Sequence, residues 1–391
     1  MKDLSFVAQR VTPSPIRQMF NLAQGMKDVI SFTVGEPDFL TPDNIVDAAV
    51  RALKDGQHKY TPNAGIAPLR EALCETEQKT AGLSYNSASE CMVAAGGMEA
   101  LLLAMLTILN PGDEFILTDP CWTNYSRQIS ICSAIPKFVA VDETTDFCFS
   151  PAKLEEAITP ETKGFIINSP SNPTGGIAAE ALLKELAEIA IRHDLWVISD
   201  EVYSRIAYEG EKPCSIAKIS GMKERTVIVG SFSKTYAMTG WRVGYAFGPE
   251  TIIQNMVKLQ ENVAACVNTA AQYGALEALT GNQDSVHRMT ETYKKRRELV
   301  VDSFSEVPLL RCFAPQGAFY AFVNIEQTGM TSQAFAEDLL EKARVIVVPG
   351  HAFGKNGDNY IRLSFATSEE NILNGIERIK KYIHRTFISA E

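Results

Sequence analysis

The chain has no two cysteines at C-x-x-C spacing, although it holds eight. Cys74, Cys91, Cys121, Cys132, Cys148, Cys214, Cys266 and Cys312 are scattered along it. That spread argues against a metal knuckle or a CxxC redox pair, and fits core thiols in a reducing compartment. No metal site is expected. A basic surplus is also missing. Lys and Arg number 37 against 47 Asp and Glu, a net charge of −10, which argues against a nucleic-acid or polyanion binder and leaves room for a small basic pocket. There is no long hydrophobic run. The longest, 101–109, contains a threonine and stops at Asn110-Pro111-Gly112, too short to span a bilayer. The opening Met1-Lys2-Asp3-Leu4-Ser5 lacks the apolar segment of a secretory signal, so a cytoplasmic location is expected. Neither an internal repeat nor a low-complexity linker is visible.

What is present is a chain of 391 residues, 46% hydrophobic, which suits two domains or one large α/β unit. A helix is expected around 16–26 and a strand over 29–34. That strand runs into the turn Gly35-Glu36-Pro37-Asp38, where glycine lets backbone approach a ligand closely or simply makes the turn. Thr41-Pro42 opens a helix, with Thr41 as cap and Pro42 at its first position, and Gly56 ends it. The loop 59–65 carries one aromatic, Tyr60, and a second helix follows to about residue 80. A short strand, 91–95, then turns at Gly96-Gly97-Met98 directly into an apolar helix. Free N–H groups and the helix dipole can hold an anion at such a turn.

Four more strands end in loops: 114–118 before Trp122, 164–168 before Asn172, 195–199 before Asp200 and Tyr203, and 225–230 before Lys234. Helices between several of them, notably 178–192, indicate a parallel sheet covered on both faces. Ligands of such sheets bind beyond the carboxyl ends of the strands, where these residues fall. From 251 the chain reads as one long helix to about 279 and a second over 286–305, with Lys294, Lys295, Arg296 and Arg297 on its solvated face. After 315 the texture is α+β: strands over 318–325, 345–348 and 360–365, the last with alternating faces, and a helix over 332–343. Ser368 caps a closing helix with Glu369 and Glu370 in its first turn.

The stretch 231–244 organises the rest. Lys234 sits just past a strand end, among Ser231, Ser233 and Thr235 and between apolar runs. A lysine that attacks a carbonyl needs such a place, because partial burial and nearby cations lower its pKa. Arg242 in the next apolar run offers an anion site. The spacing of Ser231, Ser233, Lys234, Ala237, Met238, Gly240, Arg242, Val243 and Gly244 resembles the pyridoxal-phosphate lysine signature of class I and II aminotransferases. The likeness to these fold-type I enzymes extends along essentially the whole chain.

The resemblance implies an α/β fold: a large domain over 46–285 with a mostly parallel seven-stranded sheet flanked by helices, and a smaller α+β domain from 1–45 and 286–391. It implies pyridoxal 5′-phosphate as cofactor, bound as an internal aldimine to Lys234, which then moves the proton between Cα and the cofactor's C4′. Asp200 would pair with the pyridinium nitrogen and keep it protonated; alone, it reads as a helix cap. Asn172 and Tyr203 would hydrogen-bond the phenolate oxygen, although Asn172 alone reads as a turn residue. Trp122 would stack on the pyridine face, its plain alternative being core packing. The phosphate would sit on the N–H groups of Gly97 and Met98, with Ser231 and Arg242 as side-chain donors. Tyr60 would reach the phosphate of the other subunit, which implies a homodimer with composite sites. Arg362 would grip the substrate α-carboxylate as a fork, with Gly35, Trp122 and Asn172 around the same substrate.

One departure stands out. In the aspartate-specific enzymes of this branch a lysine follows the two glycines and helps bind the distal carboxylate; here the residue is Met98. The expected activity is therefore ping-pong amino transfer between an L-amino acid and a 2-oxo acid, without marked preference for aspartate. A C–S β-lyase or related eliminase on the same scaffold would share every cofactor residue. A sensor carrying such a domain would need an added DNA-binding domain, for which the stretch ahead of Val29 leaves no room.

Overall fold

The computed structural model describes residues 2–10, 19, 25–208 and 213–388. Most of the helix expected around 16–26, Arg17 included, lies outside the described residues. Strand β1 (Ile30–Ser31) stands apart from the main sheet. That sheet is made of β2 (Cys91–Ala94), β3 (Glu114–Asp119), β4 (Ile135–Ala140), β5 (Thr162–Asn168), β6 (Trp196–Asp200), β7 (Thr226–Ser231) and β8 (Gly244–Phe247). Their order is β2-β8-β7-β6-β5-β3-β4, and every pairing is parallel except the two made by β8. The expected seven-stranded, mostly parallel sheet is thus present.

Alternation along the strands sends neighbours to opposite faces. Phe115, Leu117, Ile166 and Ile198 pack with Leu101, Ala104, Ile253 and Met256, from the helices Gly97–Ile108 and Glu250–Val263. Ile116, Phe165, Ile167 and Val197 pack instead with Leu183, Leu186 and Ala190 of the helix Glu180–Arg192. Because both faces are covered, the inner strands are near-continuous apolar runs. The edge strand β4 is half exposed and contains Pro136 and Lys137, which hid it from sequence reading.

A second, antiparallel sheet runs β12 (Val348–Pro349), β13 (Tyr360–Ser364), β10 (Tyr320–Asn324), β9 (Arg311–Phe313). β11 (Val345–Ile346) belongs elsewhere, paired in parallel with β1. The single strand expected over 345–348 is therefore two, and the first ties the N-terminal segment to the C-terminal one. β13 has no exposed face. Ile361 and Leu363 pack with Leu339, Ile372 and Ile376 of the helices Ser332–Ala343 and Glu369–Ile383. Arg362, on the opposite side, lies over the rings of Tyr320 and Phe353.

Three local expectations change. The long helix after 251 is two, Glu250–Val263 and Thr269–Thr280. Ala265 at φ 59° breaks the first, and the Asn268 side chain caps the second by accepting from the Ala271 N–H at 2.9 Å. Thr41 is not a cap. Its hydroxyl donates to the Ala237 carbonyl at 2.6 Å and accepts from Trp241 Nε1 at 3.0 Å, tying it to the loop beyond Lys234. Arg296 is not solvated: it is buried on the helix Asp284–Ser305, with both Nη atoms 2.7 Å from the Asp38 carboxylate.

Candidate active site

β2 runs in the same direction as β7, since both are antiparallel to β8. The carboxyl ends of β2, β3, β5, β6 and β7 therefore share one edge of the sheet. A cavity of about 280 Å³ opens at this edge. It is lined by Gly35, Gly97, Met98, Trp122, Asn172, Asp200, Tyr203, Ser231, Lys234, Arg242 and Arg362. Eleven of the twelve residues singled out from sequence thus converge; Tyr60 is the exception, outside this cavity and 90% exposed on its loop.

Lys234 lies in the short helix Phe232–Thr235 directly after β7, where the backbone must turn out of the sheet. Its Nζ donates to the Gly35 carbonyl at 2.5 Å. Burial lowers its pKa to about 8; Glu36 and Asp200 oppose this, while Arg362 and Arg242 add to it. A Cβ on Gly35 would press on the Tyr320 hydroxyl, which is hydrogen-bonded to Tyr203, so glycine leaves that pair its space. Ser231 is buried at the N-cap of that helix, accepting from the Ser233 N–H at 3.1 Å.

The Gly97–Ile108 helix starts at the cavity wall, with its first N–H groups lacking intrahelical partners. A Cβ on Gly96 would strike the Arg242 guanidinium, and one on Gly244 would strike the Gly96–Gly97 backbone. The wall is therefore bare backbone beside an arginine. Arg242 itself is anchored on the Thr239 carbonyl at 2.9 Å.

Asp200 ends β6 and is buried. Burial raises its pKa to about 6, against a hydrogen bond from Tyr125, one from the Val202 N–H and the charge of Lys234. The Tyr125 hydroxyl donates to Oδ2 at 2.6 Å, and the Trp122 ring meets the Tyr125 ring edge-on at 5.2 Å. Across the cavity Arg362 is 2% exposed. Its Nη1 donates to Asn172 Oδ1 at 3.1 Å and its Nη2 to the Thr33 carbonyl at 2.7 Å, while Nε is buried without a partner. The Asn172 N–H donates to Asn168 Oδ1 at 2.9 Å, which sets the loop after β5. The hydroxyls of Tyr203 and Tyr320 lie 2.8 Å apart.

Tyr125, Tyr320 and the Thr33 carbonyl are site features that sequence reading missed. Tyr125 falls close after Trp122 in the chain, and Tyr320 lies in a strand assigned correctly. Neither carries a motif, and each meets its partner only through the fold. Among the described residues no group of His, Cys, Asp and Glu is arranged to hold a metal ion, and no helix is long and apolar enough to cross a membrane.

Comparison with known proteins agrees with this geometry. The family profile "Aminotransferase class I and II" matches residues 27–379. An aspartate aminotransferase of Pyrococcus abyssi is 42% identical over 375 residues, 95% of this chain and 96% of that one. An aromatic-amino-acid aminotransferase of Thermococcus litoralis is 39% identical over 382 residues, 97% of this chain and 98% of that one. The crystal structure of an aromatic aminotransferase from Pyrococcus horikoshii superposes with a TM-score of 0.90 at 40% identity, covering 95% of this chain and 99% of that one. With a strand-end lysine, a buried aspartate and a buried arginine around one cavity, and relatives of this identity over nearly its whole length, the chain belongs to the class I and II aminotransferases.

Proposed function

We propose that the cavity holds pyridoxal 5′-phosphate, and that this aminotransferase moves an amino group between an L-amino acid and a 2-oxo acid in two alternating half-reactions at Lys234. The observation that carries the reading is the meeting of a lysine with lowered pKa, a buried carboxylate and a buried arginine with a spare N–H in one cavity. The residues fit that cofactor. A phosphate suits the free N–H groups of Gly97 and Met98, with Ser231 and Arg242 beside them. Asp200 suits a protonated ring nitrogen, Asn172 and Tyr203 a ring oxygen, and Trp122 a ring face. When bound, the cofactor supplies an electron sink for the charge left on the substrate's Cα.

The chain's own residues do the rest. Lys234 Nζ, with its pKa lowered to about 8, takes the Cα proton and returns it. Arg362 binds the α-carboxylate, its guanidinium plane set by Asn172 and the Thr33 carbonyl. Gly35 keeps the wall beside it bare. We assign the protein to a cytoplasmic location, which the free state of all eight cysteines supports. The same reading divides the chain into a large body over 46–285 and a smaller one from 1–45 and 286–391, supported by the pairing of β1 with β11.

A homodimer with composite sites completes the reading. Tyr60 would enter the neighbour's cavity. Val46, Val50 and Leu53 form an exposed stripe on the helix Asp43–Lys54, close in sequence to the exposed Leu40, and a second copy suits that face. A screen of amino acids against oxo acids tests the function. Turnover that requires the oxo acid and releases no ammonia supports it. Ammonia and pyruvate from a cysteine conjugate, with no oxo acid present, would make the enzyme a β-lyase instead.

A further inference from the structure

The loop that carries Tyr60 is anchored on both sides of it. The Thr269 hydroxyl donates to the Lys59 carbonyl at 2.7 Å. Gln272 donates through Nε2 to Thr61 Oγ1 at 3.1 Å and accepts through Oε1 from the Ile66 N–H at 2.8 Å. Gln260 donates through Nε2 to the Asn63 carbonyl at 2.5 Å and to the Val93 carbonyl at 3.0 Å, while its Oε1 is buried without a partner. Both glutamines are 0% exposed. Gly65, at φ 96°, lies against Val93 and the Gln272 amide and has no space for a side chain. Between the first two anchors, Tyr60 projects into solvent.

A wholly buried amide is unfavourable unless its donors and acceptor are satisfied, and an apolar residue would fill the same space without that demand. Gln272 spends three of its hydrogen bonds on Thr61, Ile66 and the Val267 carbonyl, all backbone or side-chain groups of this loop or of the approach to its own helix. We propose that Gln272, assisted by Gln260, is a positioning residue: it holds the loop so that the Tyr60 hydroxyl is pre-set for the phosphate-binding wall of a second copy of this chain. The inference rests on the cofactor and composite-site reading above. Fixing the loop before binding removes the ordering entropy that a mobile tyrosine would lose on contact.

The test compares wild type, Tyr60→Phe, Gln272→Leu, the double variant and Thr61→Val. The apoprotein of each is titrated with pyridoxal phosphate and with pyridoxal, which lacks the phosphate; thermal stability is recorded alongside. Tyr60→Phe should weaken the phosphorylated ligand about tenfold, the loss of one hydrogen bond to a charged group, and leave pyridoxal unchanged. Gln272→Leu and Thr61→Val should weaken the same ligand selectively, and Gln272→Leu should add nothing in the Tyr60→Phe background. If Gln272→Leu does not fold, Thr61→Val decides, since it removes only a hydroxyl. Selective loss in Tyr60→Phe with none in either loop variant overturns the positioning role and leaves the composite site standing. Equal weakening of both ligands, or additive effects in the double variant, also overturns it in favour of a merely structural glutamine. An unchanged ligand ratio in Tyr60→Phe itself overturns the composite-site reading.

Discussion

Burial acts on Lys234 and Asp200 toward the same end, the neutral form, and therefore moves their pKa values in opposite directions. For the lysine the value falls to about 8 from 10.5, so the neutral share grows as pH rises through about 8. Capture of pyridoxal by the apoprotein should accelerate from about pH 6 to about pH 9 and then level. A rate that keeps climbing beyond pH 10 would show an ordinary lysine. For the aspartate, Tyr125 donates the hydrogen bond that favours the charged carboxylate. Tyr125→Phe should raise the Asp200 pKa further and move the acid limb of the half-reaction to higher pH. At low pH the rate should fall roughly tenfold or more, because a hydrogen bond to a charged group is worth about 1.5–3 kcal/mol. A stopped-flow pH profile superimposable on wild type would remove Tyr125 from this role. Lys234, Asp200 and Asn172 are legible in the sequence because each stands at or shortly after a strand end, whereas Arg362, in the middle of its strand, is legible only through the family resemblance. Tyr125 is not, because its partner is 75 residues away and a lone tyrosine announces nothing.

At the scale of elements, periodicity located the buried strands and amphipathic helices, and failed where the marker of an interruption is a single cap. Residues 263–267 are apolar or small, with no glycine or proline, so nothing in their composition separates the helix Glu250–Val263 from Thr269–Thr280. The separation matters, since the second helix supplies Thr269 and Gln272 to the Tyr60 loop. Asn268→Ala removes the cap and should cost about 1 kcal/mol in urea unfolding, the usual value of an N-cap. No loss would mean that the break is held by other contacts. Arg296 misled for a different reason. A run of four basic residues reads as solvated, yet one of them turns inward when a carboxylate from a distant loop, Asp38, meets it.

At the scale of the whole molecule, substrate choice follows from the cations that face the cavity. Among the described residues lining it they are Lys234, Arg242 and Arg362, and the proposed function gives each a task common to every substrate. Met98 lines the same cavity, 37% exposed, with its sulfur accepting from Asn124 Nδ2 at 3.3 Å. A β-carboxylate entering beside it loses hydration without gaining a charge partner, whereas apolar and aromatic groups meet a thioether and the Trp122 ring. Neutral and aromatic donors should therefore match or exceed aspartate in kcat/KM against one oxo acid. An aspartate value about a hundredfold above them would mean that a cation reaches the pocket by another route. Every role proposed for the cavity turns on Lys234. The most direct measurement is borohydride reduction of the purified, cofactor-loaded protein followed by peptide mapping. The pyridoxyl label is expected on Lys234 and should be lost in Lys234→Ala; a label on any other lysine would contradict the role given to Lys234.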